Sequence, residues 1–395
     1  MVSLLAFAVS VFSIASTISA DANPYLIVFG NSLSDIGNIY NTTYPVPWWF
    51  SHFSNGPVWN EYLAYFKNYT LINYAIGGAT SNNTSVSAFA NYTAPVPSTL
   101  EQIALFNKTF GGKFNTSSIA NDVAVLEIGA NDLLDASALE AMSLIDVNDY
   151  SESIATNIYA AVLGIQELGY TKILVTNIPD VSITPAIKVF PDPGPQNVNN
   201  YAQMTNARLQ DMFESSFTNN TSQSYVKIID FYNIMSIATS ELSEELGITN
   251  VDDACYPVAN KTLISSCNNT DAYFFIDWIH PSTKVHALAA AIMSEVLNGT
   301  TVAYTPSQFV SIAERYNVTN VSSTSNFLYT SNTATTGKLN IQSYNILASQ
   351  GNATQLIAAK NGEKVETVDP NKSFASHTTV NFVSMMIALL VLFMA

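Results

Sequence analysis

Ser32, Asp277 and His280 are the side chains whose types and spacing point most directly to chemistry. Ser32 lies in the stretch FGNSLSDIGN (29–38), directly after the apolar run Tyr25-Leu26-Ile27-Val28. A serine just past a strand end, on a glycine-containing turn, is placed as an exposed nucleophile. Its hydroxyl is weak unaided and needs an imidazole within hydrogen-bond reach to take its proton. His280 is the best candidate base, because Asp277 stands three residues before it. On a turn, that spacing lets the carboxylate hold one ring nitrogen and aim the other at Ser32. His52, His286 and His377 have no such partner in the sequence.

A tetrahedral oxyanion also needs donors. The candidates are the backbone N–H groups of Ser32 and Gly78 and the side-chain amide of Asn131, within Gly77-Gly78 and Gly129-Ala130-Asn131-Asp132. Glycine permits close backbone approach, and an asparagine amide donates without adding charge. Together these residues describe ester hydrolysis through an acyl-serine.

Such a set must be gathered by the fold. Near-continuous apolar runs at 25–29, 71–75, 123–128, 172–177 and 225–229 predict strands buried on both faces, as in a parallel sheet. Between them, residues 151–168 place Ile154, Ile158, Ala161, Ile165 and Leu168 on one helical face. Further helices are expected at 197–216, 234–245 and 284–297. Five strands with crossover helices predict a three-layer α/β/α sandwich around a five-stranded parallel sheet. Ser32, Gly78 and Asn131 then all fall at carboxyl ends of strands, where open α/β sheets bind ligands.

FGNSLSDIGN, NYAIGGAT (73–80), IGANDLL (128–134) and DWIHPS (277–282) resemble the four blocks of the GDSL, or SGNH, esterase and lipase family. FSNGPVWNEYLA (53–64) is similar to the region after the first block in secreted members. The resemblance spans about residues 25–297. It implies a flavodoxin-like layout and hydrolysis of acyl esters without a metal or other cofactor. Ser32, Gly78, Asn131 and His280 match the family's four named residues, and Asp277 its triad carboxylate. A secreted fungal, acetylesterase-like branch is the expected relative. One departure stands out: Asn31 precedes the serine where the family has Asp, while Asp35 keeps the second acidic position.

Composition bounds the partners. The chain has 395 residues and a formal net charge of -16, which argues against nucleic acid and anionic membrane surfaces. P-loop, HExxH, GxSxG and CxxC patterns are absent, so nothing implies a nucleotide, flavin or metal. The expected partner is a small-molecule, carbohydrate or lipid ester.

The ends of the chain carry targeting patterns. Residues 1–20 are apolar and end in small residues, as a secretory signal peptide does. Asn-x-Ser/Thr recurs densely, for example at Asn68, Asn91, Asn107, Asn115 and Asn298, which predicts a glycosylated extracellular protein. Secretion in turn predicts a disulfide between Cys255 and Cys267. Residues 21–300 are expected to form the hydrolase domain. Residues 301–375, rich in Ser, Thr and Asn, read as a partly structured glycosylated stalk. Residues 376–395 read as a GPI-anchor signal, which would be the chain's only membrane attachment. Trp48, Trp49, Phe50 and Trp59 cluster in a Pro-rich loop, either as an aromatic platform for a sugar ring or acyl chain, with Trp48 and Trp49 touching substrate, or as packing. The leading expectation is a short-chain serine esterase, acting on acetyl esters of carbohydrate. The alternatives are a cell-surface lipase or lysophospholipase, and a non-catalytic wall glycoprotein on a hydrolase scaffold.

Overall fold

The run Tyr25–Gly30 carries no charge and forms the central strand β1. Its side chains alternate: Ile27 and Phe29 enter one apolar core and Leu26 and Val28 another, all fully buried. The computed structural model describes residues 23–39, 48–259, 262–330 and 336–363. The signal peptide assigned to 1–20 and the anchor signal assigned to 376–395 lie outside the described residues.

Among the described residues nine further strands follow: β2 (Thr70–Asn73), β3 (Val123–Glu127), β4 (Lys172–Thr176), β5 (Tyr225–Ile229), β6 (Asn250–Ala254), β7 (Val258–Ala259), β8 (Thr262–Leu263), β9 (Tyr273–Phe275) and β10 (Ser343–Tyr344). The main sheet has the order β10-β2-β1-β3-β4-β5. Every pairing in it is parallel. It therefore has six strands, where the apolar runs predicted five. The sixth is only two residues long, with no apolar pattern to announce it. It docks by main-chain pairing: Leu71 N–H donates to Gln342 O at 2.9 Å, extending the register Ser343↔Leu71 and Tyr344↔Ile72.

Helices cover both faces: α1 (Trp59–Lys67), α2 (Asn83–Ala90), α3 (Thr99–Phe110), α4 (Ala130–Ala141), α5 (Val147–Glu167), α6 (Pro185–Lys188), α7 (Gly194–Ser216), α8 (Phe231–Thr239), α9 (Thr283–Leu297), α10 (Pro306–Arg315), α11 (Ile346–Gly351) and α12 (Ala353–Asn361). Helices α3, α4, α5 and α7 bury Phe106, Leu133, Ile158 and Leu209 against the Ile27/Phe29 face. Helices α1, α8, α9 and α10 bury Leu63, Ile234, Leu288 and Phe309 against the Leu26/Val28 face. The result is a three-layer α/β/α sandwich.

The boundary drawn at residue 300 falls inside a compact unit that runs to Glu363. Phe309, Ile312, Val318, Val321 and Leu328 join the α1/α9 core, and Leu356 joins the opposite one. Near the end of this segment Lys360 is buried in an ion pair with Asp122, which also accepts the Tyr25 N–H at 2.7 Å. The stalk reading averaged over polar loops and lost these buried contacts. The Cys255–Cys267 disulfide is formed and joins the chain on either side of the β7–β8 hairpin.

Candidate active site

Three strand ends supply the site. At the end of β1, the main chain of Gly30 is gripped by Gln102 of α3: its N–H donates to Oε1 and its carbonyl accepts from Nε2, both at 2.9 Å. A Cβ on Gly30 would lie 2.5 Å from the Glu127 carbonyl oxygen, so only glycine fits. The chain then turns sharply. The Ser34 N–H bonds the Asn31 carbonyl at 3.1 Å and the Leu33 N–H bonds Asn31 Oδ1 at 2.9 Å, leaving Ser32 at the apex.

Ser32 Oγ lies 2.7 Å from His280 Nε2. His280 Nδ1 in turn lies 2.8 Å from Asp277 Oδ2 and 2.9 Å from Oδ1. Asp277 is fixed by its own turn, because Oδ1 accepts the N–H groups of Ile279 and His280, each at 2.8 Å. Burial pushes this carboxyl up, but the His280 ring and those backbone donors outweigh burial and hold it below its ordinary value. Both nitrogens of His280 are thus engaged, one by an acceptor and one by a hydroxyl that can donate to it.

The candidate oxyanion donors stand past the ends of β2 and β3. Gly78 takes φ +82°, a left-handed backbone that favours glycine. Asp35 ties this turn to the nucleophile turn: Oδ1 accepts from Gly37 and Asn38, and Oδ2 accepts the Gly77 N–H at 2.8 Å. Burial pushes Asp35 up to about 6, against the pull of these donors. Asn131 opens α4, and its Nδ2 donates to the Ala79 carbonyl at 2.8 Å. That contact uses one amide hydrogen and orients the group, while a primary amide carries two. Asp132 accepts the Ser81 N–H at 2.9 Å, pinning α4 to the same turn.

Several residues here had no sequence signal. Glu127, fully buried at the end of β3, accepts from Asn31 Nδ2 at 3.0 Å and from Ser34 Oγ at 2.8 Å. Burial pushes Glu127 up to about 7 despite these donors. The unusual Asn31 is therefore a donor to a buried carboxylate; an aspartate there would set two acids against each other. Phe53 packs at a tilt beside His280, with ring centroids 5.0 Å apart, and a Cβ on Gly77 would strike that ring at 2.4 Å.

The sequence left the aromatic loop open between a platform and packing, and the described part of it shows packing contacts, with Trp48 beside the His280–Asp277 pair. Trp48 donates its indole N–H to Asp277 Oδ2 at 2.9 Å. Trp49 is buried against Phe50, His52 and Tyr329. Trp59 is buried and donates to Ser34 Oγ at 3.0 Å. Neither Trp48 nor Trp49 lines the cleft at Ser32. That cleft is walled by Leu33, Ala130, Leu134, Val181, Met235 and Ile279 and has a volume of about 20 Å³. Behind it, His52 places Nδ1 3.0 Å from the Phe50 carbonyl and Nε2 3.1 Å from Glu61 Oε1. Both partners are acceptors, which fits the protonated imidazole; burial would lower its pKa, but Glu61 and the Phe50 carbonyl raise it. Among the described residues, no group of His, Cys, Asp and Glu side chains is arranged to hold a metal ion.

Comparison with known proteins places this geometry. The family described as GDSL-like Lipase/Acylhydrolase matches residues 26–293. A thermolabile hemolysin of Vibrio parahaemolyticus is 25% identical over 290 residues, covering 69% of this chain and 63% of that protein. The chain thus spans less than two thirds of that relative's length. A GDSL esterase/lipase of Arabidopsis thaliana is 22% identical, covering 73% of this chain and 95% of its own. Among solved structures, a variant of an acetyl xylan esterase from Geobacillus stearothermophilus aligns with 72% of this chain and 99% of its own, at 15% identity and a TM-score of 0.37.

Proposed function

The chain belongs to the GDSL-like lipase/acylhydrolase family, and from that premise we propose that it is a serine esterase of short-chain acyl esters, including acetyl esters of carbohydrate. The observation that carries this reading is the unbroken line from Ser32 Oγ through His280 to Asp277, with contacts of 2.7 and 2.8 Å. In the resting enzyme the Ser32 hydroxyl donates to His280 Nε2, and His280 Nδ1–H donates to Asp277. As Oγ attacks the ester carbonyl, its proton passes to Nε2 and Asp277 stabilises the imidazolium. The carbonyl oxygen takes the electron pair and is met by the N–H groups of Ser32 and Gly78 and by the second Asn131 amide hydrogen. Collapse expels the alcohol, which leaves with the proton from Nε2. Water, deprotonated by the same imidazole, then releases the acid and restores Ser32.

The narrow cleft, walled closely by Leu33, Leu134, Val181, Met235 and Ile279, supports a short acyl group. Extracellular location, glycosylation and a GPI anchor belong to the same reading. The disulfide and the exposed sequon residues Asn68, Asn91, Asn107, Asn115 and Asn298 support the first two, and the apolar pattern of residues 376–395 in the sequence is the ground for the third. The test is hydrolysis of p-nitrophenyl acetate, butyrate and octanoate by the protein and by Ser32→Ala. Acetate should be the best substrate, and activity should vanish in the variant with its melting temperature unchanged. Equal rates in a folded Ser32→Ala protein would refute the esterase; preference for octanoate would replace it with a lipase.

A further inference from the structure

The segment that presents Asp277 and His280 has a second side. Ile279 lines the catalytic cleft, whereas its neighbour Trp278 lines a separate open groove of about 470 Å³. The opposing segment divides in the same way: Thr184 belongs to the cleft and Pro185 to the groove. The Ala186 N–H donates to the Trp278 carbonyl at 3.0 Å, so the two segments form one ridge between the cavities. The cleft and the groove thus share these two segments as a common wall.

The groove has a built floor and a fixed wall. The indole N–H of Trp278 donates to the Val258 carbonyl at 2.7 Å, which locks the ring while leaving it partly exposed. Tyr273, also partly exposed, lines the groove with it. Asp253 and Ser265 stand on the two chain segments that the Cys255–Cys267 disulfide joins, so their separation is set before any ligand arrives. Asp253 is oriented by a 3.0 Å contact from Asn250 Nδ2. Lys188 pairs with Asp252 at 2.6 Å and cancels its charge. What remains is two aromatic side chains beside carboxylate and hydroxyl groups, with a net negative charge.

That chemistry discriminates among occupants. An anionic headgroup would face the Asp253 carboxylate, and a quaternary ammonium would find a single uncompensated carboxylate in the lining, because Lys188 already pairs with Asp252. A neutral sugar chain suits both features: its C–H faces lie on aromatic rings, and its hydroxyls donate to Asp253 and exchange hydrogen bonds with Ser265. Resting on the esterase reading, we propose that this groove binds the alcohol half of the substrate, a neutral oligosaccharide. The acyl group alone occupies the cleft at Ser32. Trp278 and Tyr273, not the Trp48–Trp49 loop, are then the sugar-contacting aromatics.

Binding and turnover separate this proposal from the esterase on which it rests. The first measurement is titration of the Ser32→Ala protein with xylotetraose and cellotetraose, followed by tryptophan fluorescence and calorimetry. Saturable binding of either sugar, weakened about tenfold or more by Tyr273→Ala and by Asp253→Ala, is expected whether or not the enzyme turns over. No binding of either sugar, or binding untouched by both variants, overturns the groove assignment. So does tighter binding of phosphocholine than of both sugars. The second measurement compares kcat/KM on p-nitrophenyl acetate with that on acetylated xylotetraose. Tyr273→Ala and Asp253→Ala should leave the first within about twofold and lower the second about tenfold through KM. Equal losses on both substrates overturn the proposal. Absence of any Ser32-dependent hydrolysis refutes the esterase reading and leaves the sugar titration to decide the groove.

Discussion

Cutting the chain at residue 300, where composition changes, should destroy the fold. The segment beyond it buries Phe309, Ile312, Val318, Val321, Leu328 and Leu356. Full burial of such a side chain contributes about 1.5–3 kcal/mol, so the six together amount to about 9–18 kcal/mol on their own side of the contact. The shortened chain would no longer order residues 301–363, so their burial and their entropy cost both disappear. It would, however, lose the matching burial on α1, α9 and the sheet, which is of similar area. Lowering that figure by the full ~40% for compactness of the unfolded chain leaves roughly 5–11 kcal/mol. Whole-domain stabilities are about 5–15 kcal/mol. The loss is therefore as large as the stability itself, before counting the edge of β2 that β10 covers. The assay is thermal unfolding by near-UV and far-UV circular dichroism of chains 23–300 and 23–363, with esterase activity measured in parallel. The longer chain should melt cooperatively, and the shorter should show no cooperative transition and no activity. A 23–300 chain melting within a few degrees of the longer one, with equal activity, would refute this reasoning.

Asn131→Ala should lower kcat on p-nitrophenyl acetate about 10²–10³-fold while KM changes little, as for loss of one oxyanion donor; an unchanged kcat would remove Asn131 from that role. Lys360→Met should cost about 3–5 kcal/mol, because it strands the buried Asp122 carboxylate; urea unfolding measures this, and the double variant with Asp122→Leu should recover most of it. The raised pKa of His52 gives stability that is full below the ordinary histidine value and is lost as pH rises through the folded value. Melting temperature should therefore fall between pH 6 and 9 more steeply in the native protein than in Glu61→Gln, which removes the main raising cause; identical slopes would exclude the His52–Glu61 pair as the source.

The central sheet was legible because buried parallel strands are written as unbroken apolar runs. Residues 225–229 were read with both bounds as found, and β1, β3 and β4 within one residue. The Ser32, Gly78 and Asn131 positions followed, since each stands just past such a run. What escaped has a common cause. Glu127 is the one charged residue inside the run 123–128, and nothing local shows that it is fully buried. Its role depends on Asn31 and Ser34, nearly a hundred positions away, which no local pattern reports. Trp48 meets Asp277 across 229 positions. In the C-terminal segment, Phe309, Ile312 and Ala313 do carry helical spacing, but the surrounding Ser, Thr and Asn outweighed that stripe in a reading by composition. As far as Glu363, polar loops connect buried elements, and residues 364–375 of the segment read as a stalk lie outside the described residues.

The late arrival of β10 and α12 has a consequence for synthesis. Tyr25, in the first strand, donates its hydroxyl to the carbonyl of Leu356, 331 positions later, and the β2 edge stays open until Ser343 is made. Contacts of such sequence separation form slowly, and an open strand edge recruits other chains. A ribosome releasing this protein from its N-terminus thus exposes Ser32, Gly78 and Asn131 long before the sheet can close beside them. The main sheet can therefore be completed only after Ser343 and Tyr344 have been made, and a chain stopped between residues 300 and 340 would leave the β2 edge open.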